Sequence, residues 1–156
     1  MDRSLKQLNS ESVPYIKVDS LSKIADIILL DTREKAEYDV SHLKNAIWVG
    51  YNEFEIDSVL NKIPNAKSKI VVYCSIGVRS EDVGEKLQKA GYSNISNLYG
   101  GIFEWKNEGK LVYDTLGNET EQVHAYNKNW GKLLTAGEKV YNKKKAKNKR
   151  KVIINN

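Results

Sequence analysis

At 156 residues and 17.7 kDa the chain has room for one domain with a single buried core. Its 40% hydrophobic and 29% charged residues are ordinary for a globular protein, and no apolar run approaches the roughly 18 residues of a membrane span. One cysteine, Cys74, excludes an intramolecular disulfide, and with only two histidines, His42 and His124, it argues against a four-ligand zinc site. The net charge of +5 is concentrated at one end: eight basic residues lie between Lys139 and Lys151 with no acidic residue beyond Glu138, leaving the rest at −3.

Residues 1–13 are polar and without period, which predicts a flexible N-terminus. "YIKV" (15–18) reads as a short edge strand and "SLSKIAD" (20–26) as a brief helix capped by Ser20. "IILLD" (27–31) is a continuous apolar run of the kind found in strands buried on both faces. "TREKAEYDV" (32–40) turns helical, with Thr32 at the cap and Glu34 in the first turn, and "NAIWV" (45–49) is the next strand. Apolar residues at 56, 59, 60 and 63 predict an amphipathic helix that Pro64 closes.

"KIVVY" (69–73) is the most β-branched run and the expected central strand. Val83, Leu87 and Ala90 then follow helical spacing up to Gly91, "NISNL" (94–98) gives another strand, Gly100 and Gly101 a turn, and "IFEWKNEG" (102–109) a short helix. Alternating strands and helices predict an α/β domain with a largely parallel sheet. Tyr126, Trp130, Leu133 and Leu134 at i, i+4, i+7 and i+8 predict one C-terminal helix folded back on the domain. Within it "VHAYNKNWGKLL" (123–134) could roof a cleft, but aromatic and leucine residues at this spacing are read first as core. "KKKAKNKRKVIINN" (143–156) reads as a solvated, disordered charge block rather than a nucleic-acid site, since the basic segment has only Tyr141 to stack on bases.

The chemistry concentrates at Cys74, placed at the end of the central strand, where parallel sheets bind ligands. The chain must turn there into a helix starting near Arg79, so the loop's backbone N–H groups can converge into an anion cradle around the thiol. Such a cradle favours a thiolate, and equally a persulfide or bound oxyanion. Gly77 permits the positive φ a tight cradle needs, and Arg79 can fork onto two oxygens of a sulfonate-like group. A lone cysteine at a strand end can equally be a small buried hydrophobe, and both readings stand on spacing alone.

"CSIGVRS", Cys74–Ser80, resembles the C-x-x-G-x-R-[ST] loop of the rhodanese-like sulfurtransferases. "LLDTREKAEYDVSHLKNAIWV" (29–49) is similar to that family's D-x-R-x-x-x-E-[FY]-x-x-G-H-I-x-G-A segment, and "NLYGGIFEWKNEGKLV" (97–112) to its L-x-G-G-x-x-x-W-x-x-x-G segment. The resemblance covers roughly residues 14–112. It implies a rhodanese-like domain with a five-stranded, mostly parallel sheet and helices on both faces; helical spacing and the charge run add a helical extension at 113–140 and a basic tail at 141–156.

The resemblance also implies that Cys74 is the sulfur acceptor and forms a persulfide. Ser75, Ile76, Gly77, Val78, Arg79 and Ser80 would then make the substrate cradle, with no cofactor or metal. Asp31, Arg33, Glu37 and His42 match positions that look structural, and neither His42 nor His124 is assigned a catalytic role. Ser41 and Asn45 stand where the pattern has glycine. Ser75 stands where many members carry a basic residue, from which weak thiosulfate binding is expected.

The expected reaction moves a sulfane sulfur from a donor such as thiosulfate to cyanide or a thiol. The alternative is a persulfide carrier serving a protein donor or acceptor. A phosphatase or arsenate reductase is disfavoured, because such loops hold five residues between Cys and Arg and this one holds four. "MDRSLKQLNSESVP" lacks the apolar core of a secretory signal, so a cytoplasmic protein is expected, or an exported one if a signal was removed before Met1.

Overall fold

The structure is a computed structural model that describes residues 1–142. In chain order it contains α1 (Asp2–Leu8), β1 (Tyr15–Ile16), α2 (Val18–Ser22), β2 (Ile28–Asp31), α3 (Lys35–Val40), β3 (Ile47–Trp48), α4 (Ile56–Lys62), β4 (Ile70–Tyr73) and α5 (Val78–Lys89). These are followed by β5 (Ile95–Leu98), α6 (Gly101–Asn107), β6 (Val112–Tyr113), β7 (Glu119–Thr120), β8 (Gln122–His124), α7 (Lys128–Gly131) and β9 (Glu138–Val140).

Five strands form one sheet in the order β1-β5-β4-β2-β3, every pairing parallel. β4, the "IVVY" run, is the central strand and is buried at all four positions. Strand alternation sends its side chains to opposite faces: Val71 and Tyr73 join one core with residues of α1, α2, α6 and the C-terminal segment. Ile70 and Val72 join the other, with Val59 of α4 and Val83 and Leu87 of α5. The α/β class, the parallel five-stranded sheet and the two helical faces are therefore as the sequence indicates.

Local differences have local causes. The expected flexible N-terminus is ordered through α1, because Leu5 and Val13 are buried in the two cores. α2 starts at Val18 with Lys17 at its cap, so Ser20 lies inside the helix. In α3 the cap is Glu34 rather than Thr32: its N–H donates to the Glu37 carboxylate at 2.9 Å, and the Glu37 N–H donates to the Glu34 carbonyl at 3.0 Å. Thr32 instead donates its hydroxyl to the Tyr73 carbonyl. Asn45 takes the left-handed backbone that glycine would supply, at φ 62°.

The largest departure is the extension, which is mostly not helical. β6 and β7 form an antiparallel pair, and β8 and β9 a parallel one. The expected helix shrinks to α7, since Tyr126 sits at φ 69°, outside the helical region, and Asn127 caps a new start by accepting the Trp130 N–H. Leu134 of the predicted stripe is buried, while Tyr126 is 40% exposed and so is not core. The basic tail at 141–156 lies outside the described residues from 143 onward.

Candidate active site

Cys74 follows the last residue of β4, at the carboxyl end of the parallel sheet. The loop turns into the twelve-residue α5 through Gly77, which adopts φ 117° at the N-cap. The Gly77 N–H donates to Cys74 Sγ at 3.1 Å. Behind the sulfur, Ser80 Oγ lies 3.5 Å from Sγ and donates to Asn97 Oδ1 at 2.6 Å. The Gly77 N–H dipole favours negative charge on the sulfur, as the cradle reading requires.

The loop backbone is held from several sides. The Gly77 carbonyl accepts from Asn97 Nδ2 and Asn9 Nδ2, both at 2.9 Å. The Cys74 and Ser75 carbonyls accept the Ile102 and Phe103 N–H groups at 3.0 and 3.1 Å, which draws the start of α6 against the loop. This approach explains the Gly-Gly pair: Gly101 sits at φ 57°, and a Cβ there would collide with both loop carbonyls. Backbone N–H groups of Ser10 and Glu11 donate to the Glu81 carboxylate on α5 at 3.0 and 2.7 Å, so α1 and its following turn clamp the same loop.

Arg79 does not wait open for an oxyanion, contrary to the sequence expectation. Its Nη1 and Nη2 donate to the two carboxylate oxygens of buried Glu37 at 2.8 and 3.0 Å, and Nη2 also donates to Ser75 Oγ at 2.9 Å. Burial alone would raise the Glu37 pKa, but the hydrogen bonds and charge of Arg79, aided by Arg33, outweigh it and hold the carboxyl below its ordinary range. For Arg79, burial would favour the neutral form; Glu37 and the nearby Cys74 sulfur outweigh it and keep the guanidinium charged.

Asp31 and Arg33 form a fully buried pair at 2.6 Å, and Arg33 Nη2 also donates to the Ser41 carbonyl. Arg33 thereby ties β2 to the end of α3. His42 stacks on Tyr38 at 3.9 Å, contacts its carbonyl through Nδ1 at 2.9 Å, and pairs through its backbone with Tyr113. Asp31, Arg33 and His42 thus hold the scaffold, as their motif positions imply, while Glu37 anchors Arg79 and Ser75 of the cysteine loop.

A cavity of about 170 Å³ is lined by Cys74, Ser75, Ile76, Val78 and Arg79 of the loop and the start of α5 and by Tyr126 and Trp130 of the C-terminal segment, with Cys74 itself buried. Of the predicted cradle, Gly77 and Ser80 back the sulfur rather than line this space. Reading the sequence missed Asn9 and Asn97, and it ranked a roofing role for the segment of Tyr126 and Trp130 behind core packing. The helical spacing of the aromatic pair favoured the core reading, and nothing local distinguishes Asn9 from a surface asparagine. Among the described residues no cluster of His, Cys, Asp or Glu could hold a metal ion, and no helix is long and apolar enough to cross a membrane.

Comparison with known proteins agrees with this architecture. The tRNA uridine(34) hydroxylase of Pectobacterium carotovorum is 30% identical over 102 residues, covering 62% of this chain and 29% of that protein. The chain thus spans less than a third of the curated relatives it matches. Among solved structures, a rhodanese-related protein from Thermoplasma volcanium is 31% identical with a TM-score of 0.54, over 64% of this chain and 96% of that one. A thiosulfate sulfurtransferase from Pseudomonas aeruginosa shares the fold at 21% identity and a TM-score of 0.63, over 83% of this chain and 25% of that one. The rhodanese-like domain family matches residues 17–108, more than half of the sequence, and the chain belongs to that family.

Proposed function

We propose that the chain is a sulfurtransferase that carries a sulfane sulfur as a persulfide on Cys74. The observation that supports this most directly is the placement of Cys74, which lines the cavity and whose Sγ accepts the Gly77 N–H. The thiolate attacks the outer sulfur of the donor, the donor's S–S bond breaks, and its electron pair leaves with sulfite or a thiolate. The terminal sulfur then passes to cyanide or a thiol acceptor, regenerating Cys74. The Gly77 N–H stabilises charge on the sulfur throughout, and the step draws on no metal. The pairing of Arg79 with Glu37 speaks against a phosphatase, whose arginine must meet the oxyanion.

A protein donor or acceptor in a sulfur relay would use the same cysteine. The hydroxylase relatives extend far beyond the region they share with this chain, so their reaction is not carried over. Intact-protein mass after exposure to thiosulfate, and separately to a small persulfide, tests the assignment. An increase of about 32 Da that cyanide removes is expected for wild type and not for Cys74→Ser. An unchanged mass with both donors, or an adduct that persists in the mutant, would refute it.

A further inference from the structure

Resting on that sulfurtransferase reading, we infer that the cavity over Cys74 selects uncharged thiols with an apolar or aromatic substituent, and that Tyr126 and Trp130 determine this selectivity. Two independent features lead there. The first is charge. Arg79 is the one cation lining the cavity among the described residues, and its guanidinium is already forked onto the Glu37 carboxylate and capped by the Tyr126 ring at 4.8 Å. An anionic substituent entering here meets a neutralised ion pair and two aromatic side chains instead of a free positive charge.

The second feature is how Tyr126 is held. A bulky residue rarely adopts positive φ, and Tyr126 does so at 69° without being buried for stability, since it is 40% exposed. Its N–H donates to Nδ1 of buried His124 at 3.0 Å, which makes Nδ1 the acceptor and places the ring proton on Nε2, facing Asn142 Oδ1 at 2.7 Å. The β8–β9 pair holds both ends of this bridge together, because the backbones of His124 and Val140 are in register. The buried histidine therefore acts as a positioning residue that sets the aromatic roof over the cysteine loop.

The acceptor step balances as Cys–S–SH plus R–SH giving Cys–SH plus R–S–SH. The acceptor thiolate attacks the outer sulfur, the Cys74 S–S bond breaks with its electron pair retained on Cys74, and the acceptor's proton ends on that thiolate. R occupies the cavity between Ile76, Val78, Tyr126 and Trp130. The same contacts would serve an R–S–SH donor in the reverse direction.

The test loads Cys74 with sulfur, confirms the adduct by mass, and follows single-turnover transfer to 2-phenylethanethiol and to 2-mercaptoethanesulfonate at equal thiolate concentration. Wild type is expected to favour the phenyl thiol by about tenfold. Tyr126→Leu and Trp130→Leu, each checked for an unchanged circular dichroism spectrum, should reduce that ratio towards one. Glu37→Gln, which uncovers the Arg79 charge, should raise transfer to the sulfonate. Equal rates for the two thiols in wild type, or a full preference surviving in both leucine variants, would overturn the inference. Failure to load Cys74 at all would instead overturn the sulfurtransferase reading on which it rests.

Discussion

On one side of the Cys74 loop, residues 1–13 bring carboxamide and backbone groups: Asn9 donates to the Gly77 carbonyl, and the turn at Ser10 and Glu11 grips Glu81. On the other, residues 113–142 bring aromatic rings to its side chains, Tyr126 over Arg79 and Trp130 into the lining of the cavity that Cys74 shares. Hydrogen bonds to backbone fix where the loop's amides point, while rings over an open space govern what can approach them. The N-terminal segment therefore sets geometry and the C-terminal segment sets access. Variants on each side should separate stability from selectivity.

The largest effect is expected at the surface on which both segments depend. Gly101→Ala adds a Cβ against the Cys74 and Ser75 carbonyls at a positive φ, and neither backbone group can move without breaking its bond to α6. A loss of about 3 kcal/mol in urea unfolding is expected, with sulfur loading of Cys74 falling in parallel. A variant with native stability would show that the loop does not rest on α6.

Glu37→Gln comes next. Removing one partner leaves the Arg79 charge without its counterion, for an expected loss of about 2 kcal/mol near neutral pH. The folded-state pKa of Glu37 is lowered, so its contribution is present above its ordinary value and is lost as pH falls below about 4.3 towards the folded value. The stability gap between wild type and Glu37→Gln should therefore narrow on acidification through that range. A gap independent of pH would mean that the carboxylate charge contributes nothing to holding Arg79.

Much of the scaffold was legible because its determinants are local or short-ranged. The β-branched "IVVY" run marks the central strand, and the spacing of Cys74, Gly77 and Arg79 marks the loop that follows. What escaped was set by distant partners. Leu5 looks like an isolated apolar residue until α1 packs on the sheet, and Asn9 meets Gly77 across 68 positions of sequence. In the extension, a helical stripe gave way to a parallel pairing of β8 with β9, a long-range contact that no local period encodes.

The smallest expected effect is also the one that separates the two flanks most cleanly. Asn9→Ala removes the donors to the Gly77 carbonyl and the Tyr15 hydroxyl, but Asn97 still serves that carbonyl. Asn9 Oδ1, moreover, is buried without a hydrogen-bond partner among the described residues, which offsets part of what its amide contributes. The expected loss is about 1 kcal/mol, measured by urea unfolding. Because Asn9 touches the loop's backbone and lines no part of the cavity, the variant should load sulfur more slowly yet keep the wild-type ratio between phenyl and sulfonate thiols. The leucine variants of Tyr126 and Trp130 should show the reverse pattern, near-native stability with a lost ratio. If Asn9→Ala alters the ratio as much as they do, access and geometry are a single property of the loop, and the division between the two flanks is wrong.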